Sequence, residues 1–370
     1  MKILQIIQRP QLRGVEIFTC QLSEELNRAD VKTDVLFLFG NAESLGSLDG
    51  FNVPFIHLNA NEKKRLYDFK AYKNLYRIIE TGEYDVVQAN AADTLKYAAF
   101  SKMLFGWKQP IVFRNASKMS DFIHSLLKKL LNQLLVNKTA FVASVSEECR
   151  KDFVKAFRYP PSKTQTITIG VNPQLPPAYD NLQNIGVVKK PVYLSVAGFV
   201  PEKNHAGLLN IFSRIKQDQP EAQLVLIGSG KLENEIKNLC KTMQLEDAVF
   251  FTGPRKDVLR IMPLCDALLI PSLIEGLPGV ILESFLCKLP VVAYGVGGIG
   301  EVVKDGATGF LVEKGDEAGF VEKVKILHDS PTLKEKITGQ AYRLVNEKFL
   351  NASIAHDFIE VYKRLRVRSE

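Results

Sequence analysis

No run of roughly 18 apolar residues, the length a membrane-crossing helix needs, occurs in the 370-residue sequence. The opening "MKILQIIQRPQLRG" holds one short apolar run that charge ends early. That is too little for the core of a signal peptide and suits a buried first strand. Cysteine is sparse: five residues, at 20, 149, 240, 265 and 287, with no CxxC or other metal-like spacing. Reduced, mostly buried thiols in a cytosolic protein are therefore expected. The five histidines, His57, His124, His205, His328 and His356, share no ligand spacing.

What is present is ordinary globular material. Hydrophobic residues make up 46% and charged residues 24%, and the length allows two domains with separate cores. The net charge of +7 is unevenly placed. Residues 1–190 hold 26 Lys and Arg against 18 Asp and Glu, hence +8; the remainder holds 22 against 23, hence −1. Nucleic acid, an anionic membrane surface, a phosphorylated substrate or a solvated lysine-rich face would each account for this. Basic residues are not interleaved with aromatics, so nucleic acid is not an expected partner.

Short apolar runs alternate with longer amphipathic stretches. "KILQII", "KTDVLFLF", "YDVVQAN", "PIVFRN" and "FVASVS" read as strands; "VEIFTCQLSEELNRA" and "EECRKDFVKAF" read as helices. Alternation of this kind predicts parallel βαβ units. Residues 171–190, rich in Pro, Asn and Gly, read as a linker between a domain at 1–170 and a second at 191–350. In the second domain "VYLSVAGF", "AQLVLIGSG", "AVFFTG", "ALLIPS" and "LPVVAYG" are strands, with helices at "HAGLLNIFSRIKQD", "LENEIKNLCKTM", "KDVLRIMPLC" and "PGVILESFLCK". Residues 351–370 have helical periodicity and are expected to cross back onto the first domain. Two doubly wound α/β domains facing across a cleft are the predicted fold, with ligands outside the carboxyl ends of strands.

The segment "SLIEGLPGVILES" follows such a strand. Gly276 breaks any preceding helix and Pro278 suits a first helical position, so a helix is predicted to start there. Backbone N–H groups around Leu277 to Val280 then form an anion site of the kind that takes a diphosphate, built on Gly276, Leu277, Pro278 and Gly279. Glu275 and Glu283 flank it. Carboxylates repel phosphate but accept hydrogen bonds from hydroxyls, so the segment suits a sugar nucleotide. The plainer alternative makes Glu283 a helix-surface residue and Glu275 a partner of the helix dipole.

The stretch "PSLIEGLPGVILESFLCKLPVVAYGVGGIGEVVKDGATGFLV" resembles glycosyltransferase family 4, with its E-G-x-P, second glutamate, G-x-P-V-V and G-E-V-V features. "RGVEIFTCQLSEEL", "FVASVSEECRKDF", "ITIGVNP" and "LSVAGFVPEKNHAGLL" extend the likeness over most of the chain. The resemblance implies a GT-B fold, a retaining mechanism and a UDP- or GDP-sugar donor with no required cofactor. It places Glu275 on donor-sugar hydroxyls, Glu283 on the ribose, and a diphosphate clamp at Phe199 and Lys203. The family usually has arginine where Phe199 stands, a non-conservative loss; Lys203, Arg13, Gly14 and Arg255 are left to meet the charge. Arg13 replaces the usual first glycine of the N-terminal loop. Asn90 stands where the family often has histidine; it is read either as a sugar contact or as a helix cap. Asp93 and Arg114 are further acceptor-side candidates. The sequence contains no Asp-x-Asp, so a metal-held diphosphate is not expected.

Three other readings compete. "GVGGIG" at 295–300 matches a dinucleotide fingerprint, but "EVVKDGATG" ends any following helix too soon and no acidic residue closes a following strand. These glycines are read as a turn beneath the sugar or diphosphate. A sugar-nucleotide epimerase of the same fold is the second reading, and a noncatalytic binding member the third. The acceptor is expected to be a glycan or lipid-linked glycan of cell-surface type. "NEKKRLYDFKAYKNLYRII" and "SKMSDFIHSLLKKLLNQLLVNK" combine Lys and Arg with apolar faces. They are either core helices with solvated lysines or peripheral contacts on the inner face of an anionic membrane.

Overall fold

The computed structural model describes residues 1–40, 48, 50–64 and 67–366. Its residues form two compact units, Met1–Val171 with Asn351–Glu370, and Asn172–Leu350.

Among the described residues the first unit holds seven parallel strands: β1 (Lys2–Ile7), β2 (Lys32–Phe37), β3 (Phe55–His57), β4 (Val86–Asn90), β5 (Ile111–Asn115), β6 (Phe141–Ser144) and β7 (Thr164–Thr166). Their order is β3-β2-β1-β4-β5-β6-β7, so the winding reverses between β1 and β4. Strands β4, β5 and β6 are buried at every position. That explains why they read as apolar runs rather than alternating ones. Helices α1 (Gly14–Arg28), α2 (Phe69–Thr81), α3 (Ala92–Phe105), α4 (Leu126–Val136) and α5 (Glu147–Phe157) connect them. Local chemistry sets their ends. The Ser146 hydroxyl accepts from Cys149 N at 3.1 Å to open α5, and Gly106 closes α3 in the left-handed conformation.

The second unit has six parallel strands in the order β10-β9-β8-β11-β12-β13. They are β8 (Val192–Val196), β9 (Gln223–Ile227), β10 (Val249–Gly253), β11 (Ala267–Ile270), β12 (Val291–Tyr294) and β13 (Phe310–Val312). Between and after them run α6 (His205–Asp218), α7 (Glu233–Thr242), α8 (Val258–Ile261), α9 (Gly279–Leu286), α10 (Ile299–Val302), α11 (Glu317–Asp329) and α12 (Pro331–Lys348). The winding reverses between β8 and β11. The helix expected over 256–265 is only α8 followed by a 3-10 turn at 262–264, because Pro263 cannot donate to the ladder.

Residues 172–190 are mostly exposed and are tied to the second unit at a few points. Leu182 and Val187 are buried, and the Tyr179 hydroxyl donates to Asp257 Oδ2 at 2.6 Å. Gln223 Oε1 accepts from the amides of Val188 and Lys189. The last helix, α13 (Asn351–Arg366), belongs to the first unit and packs on α1. Its Phe358, Val361 and Tyr362 are fully buried, and Asn351 N donates to Val171 O at 3.0 Å.

Candidate active site

In the second unit, a cavity opens at the carboxyl ends of β8 and β11, the two strands where the winding reverses. It is lined by Ser195, Ala197, Lys203, Ser272, Glu275 and Pro278, among others. At such a point the loops leave the sheet in opposite directions and vacate a crevice. Sequence position alone does not bring Lys203 and Glu275 together; the adjacency of β8 and β11 does.

Lys203 Nζ lies 2.5 Å from Glu275 Oε1. The Glu275 side chain is 7% exposed and that of Lys203 25%, so solvent screens this pair only in part. The loops bearing them are laced together. Leu273 N donates to Glu202 O at 2.8 Å, and Asn204 Nδ2 donates to Pro271 O at 3.1 Å. Asn204 also caps α6, its Oδ1 accepting from Gly207 N at 3.2 Å. Its left-handed φ of 52° is a conformation asparagine tolerates. Asn204, Ser195 and Ser272 are further residues of this site; only the first carries a sequence signal, the capping pattern of "KNHAG".

The loop holding Glu275 rests on the glycines at 295–298. Gly297 has φ +55°, and a Cβ there would lie 2.0 Å from Glu275 O. Gly298 N donates to Gly276 O at 2.5 Å. The glycine run thus supports the Glu275 loop from beneath and starts only the single turn of α10, not a dinucleotide-binding helix.

Helix α9 starts at Gly279, with Pro278 as its N-cap rather than its first residue. Leu277 is buried, while Pro278, Gly279 and Val280 are half-buried. The first amides of α9 therefore carry the positive end of its dipole beside Lys203 and Glu275. Glu283 is half-buried, lies a turn further along and does not line the cavity. Its carboxylate has no hydrogen bond or ion pair among the described residues, and burial pushes it up to about 7.

Several predicted residues are placed elsewhere. Phe199 is not at the cavity but in the core, its ring stacked on His205 at 4.2 Å and on Phe251 at 5.9 Å. Burial, with Lys203 nearby, pushes His205 down to about 4 and keeps it neutral. Arg255 is held by Asp257 through bonds of 2.8 and 2.6 Å, which lower the aspartate to about 2.

In the first unit, Arg13 is the N-cap of α1 and exposed, and a Cβ on Gly14 would meet no atom within 4 Å. The fold therefore leaves Gly14 open without requiring glycine. The expectations for Asn90 and Arg114 need correction, because both side chains are interior. Asn90 is fully buried: Nδ2 donates to Gln5 Oε1 at 2.8 Å, and Oδ1 accepts from Gln88 Nε2 at 3.1 Å. The Tyr362 hydroxyl closes this network, donating to Gln88 at 2.6 Å. Asn90 does not cap α3 either; the N-cap is Ala91. Arg114 is buried with its guanidinium 4.3 Å from the Phe18 ring. Burial lowers it to about 10 and raises nearby Glu16 to about 7. Asp93 is half-exposed and accepts from Gln8 Nε2 and Lys96 Nζ at 2.6 and 2.7 Å.

Two doubly wound α/β units, the second with a helix starting beside its switch point, are the parts of the GT-B class of glycosyltransferase. Comparison with known proteins agrees. Residues 12–175 match the family described as Glycosyltransferase Family 4, and residues 181–344 match Glycosyl transferases group 1. The chain belongs to glycosyltransferase family 4. Among its relatives is a Campylobacter jejuni N-acetylgalactosaminyltransferase acting on a diphospho-undecaprenol-linked sugar, 27% identical over 71% of this chain and 72% of the relative. An Escherichia coli α-1,3-galactosyltransferase named for UDP-Gal and GlcNAc-diphosphoundecaprenol is 25% identical over 94% of this chain and 92% of its own. Among solved structures, Anabaena HepE with UDP-glucose superposes with a TM-score of 0.86 at 21% identity, over 98% of this chain and all of that one. The Thermosynechococcus elongatus sucrose-phosphate synthase gives 0.82 at 18% identity, with full coverage of both chains.

Proposed function

We propose that this glycosyltransferase moves a hexose-type sugar, with retention, from a nucleotide-diphosphate sugar to a hydroxyl of a lipid-linked glycan. The observation that carries the donor assignment is the Lys203–Glu275 pair beside the start of α9. The amides and Lys203 meet the diphosphate, Glu275 accepts from sugar hydroxyls, and Glu283 accepts from the ribose. UDP is favoured over GDP because HepE was solved with UDP-glucose. The lipid-linked acceptor follows from the names of the two relatives above. Cell-surface polysaccharide synthesis at the inner face of the cytoplasmic membrane is the corresponding setting.

In the reaction, the acceptor oxygen bonds the anomeric carbon as the bond from that carbon to the phosphate oxygen breaks. The acceptor proton passes to the leaving diphosphate on the same face. Lys203 and the α9 amides stabilise the charge that develops there. In this reading they, and not a metal ion, hold the diphosphate. Within this unit Arg255 is engaged by Asp257, which leaves Lys203 as the cation lining the cavity.

Isothermal titration with intact UDP-sugars tests the donor site. A charge-assisted contact contributes about 1.5–3 kcal/mol, so Lys203→Ala should weaken donor binding at least tenfold. Unchanged affinity would overturn the assignment. Product analysis then separates activities: a retained anomeric configuration in the glycan supports this reading. Conversion of the donor to its epimer without acceptor indicates the epimerase, and donor binding without turnover a noncatalytic protein. Full activity in excess EDTA is expected.

A further inference from the structure

Ten large hydrophobic residues stand exposed among the described residues, and seven of them lie on or beside α2, α3 and α4. The densest group is on α4, where Leu126, Leu127, Leu130 and Leu134 are 74%, 80%, 59% and 46% exposed. At about 100° per residue these four fall within roughly a 100° arc, one unbroken stripe. The opposite side of α4 buries Leu135 and Val136 into the core, so the helix is apolar on its outer face as well as its inner one. A surface helix normally turns charge outward, and this one does not.

The surrounding charge is of one sign. Lys128, Lys129 and Lys138 are exposed, and no acidic residue occurs between Asp121 and Glu147. At the start of α2, Tyr67 and Phe69 are also 74% and 60% exposed beside Lys63, Lys64 and Lys70, but there the charge is mixed, with Glu62 exposed and paired to Arg9 and Asp68 capping the helix. In a parallel sheet every helix begins at the carboxyl end of the strand before it. The starts of α2 and α4 therefore lie toward the same end of this unit, with α3 packed between the two helices.

We infer that the α4 stripe is a membrane-docking edge: its leucines enter the acyl boundary of an anionic bilayer while Lys128 and Lys129 meet lipid phosphates. Exposed leucines framed by lysines without acids match an interfacial helix. A protein partner would be expected to meet mixed charge at the rim. The inference rests on the lipid-linked acceptor of the proposed function only for its purpose, not for its surface. The alternative of core helices with solvated lysines accounts for the buried inner face and the exposed lysines of α4, but not for its exposed leucines.

The test is sedimentation of the full chain with vesicles of about one-third phosphatidylglycerol in phosphatidylcholine, against phosphatidylcholine alone. The wild type should bind the anionic vesicles and release from them as ionic strength rises from about 0.1 to 0.5 M. Leu127→Gln with Leu130→Gln should reduce binding about tenfold or more, and Lys128→Glu with Lys129→Glu should abolish its salt dependence. These side chains are solvent-exposed, and Lys128 gives up only an exposed bond to Phe122 O, so thermal melting should change little and UDP-sugar binding should be unchanged in both variants. Equal binding by wild type and leucine variant, or no binding to anionic vesicles, overturns the inference. So does a dimer in analytical ultracentrifugation that the leucine variant dissolves, since the stripe would then be a self-association face. Donor binding measured beside it tells this failure apart from failure of the transferase reading.

Discussion

Replacing Glu283 by Gln separates a donor-binding carboxylate from an ordinary helix residue, because the two respond differently to pH. Burial raises this acid from 4.5 to about 7, with no partner to offset the cost. A folded-state value above the unfolded one means that proton binding stabilises the fold. That contribution is complete below pH 4.5 and disappears as pH rises through about 7. At pH 8 the ionised carboxylate therefore costs on the order of 2–3 kcal/mol, somewhat reduced because the side chain is only half-buried. Gln removes the charge at nearly constant shape, so the variant should melt a few degrees higher than wild type at pH 8 and no higher at pH 5. Donor binding should move the opposite way. If the ionised form alone accepts both ribose hydroxyls, the dissociation constant should rise about tenfold between pH 8 and pH 6, or 1.4 kcal/mol. The titration needs an intact UDP-sugar, because free UDP carries a terminal phosphate that itself titrates near 6. The variant should bind weakly and with no pH slope over this range. A flat wild-type profile, or the same slope in the variant, would refute the reasoning. In the second case Glu16, also raised to about 7, is the group to examine.

Gly297→Ala should lower kcat/KM at least tenfold while changing Tm by only a few degrees. Its Cβ would drive Glu275 O from a 2.0 Å position and force the loop to shift. Phe199→Arg, which restores the residue usual in the family, should not improve donor affinity. It buries a guanidinium against His205 and Phe251 and should cost about 3 kcal/mol or more in urea unfolding; tighter UDP-sugar binding would contradict the core placement. Asn90→Ala leaves Gln5 Oε1 and Gln88 Nε2 without a partner and should cost about 1–3 kcal/mol, read from the denaturant midpoint. A neutral result there would mean the buried network is dispensable.

The alternation of strands and helices, the E-G-x-P loop and the second glutamate were legible in the sequence because each is local. Strand runs declare burial on both faces, and proline and glycine mark where a helix can begin. The linker was less legible, because Pro and Asn mark irregular backbone without saying whether it packs, and Leu182 and Val187 do pack. The exposed leucine stripe of α4 was not legible, since periodicity shows that α4 has an apolar face but not which side the core covers.

Sequence by itself determined the chemistry available: a helix start able to hold an anion, two carboxylates, one lysine. Tertiary structure decided which of these meet. Lys203 reaches Glu275, 72 positions away, because β8 and β11 are neighbours at the point where the winding reverses. It also decided that Phe199 and Asn90 face inward. Side-chain direction at a strand end depends on the register of the neighbouring strands and on what the opposing helix covers, and neither is written in the residues on either side.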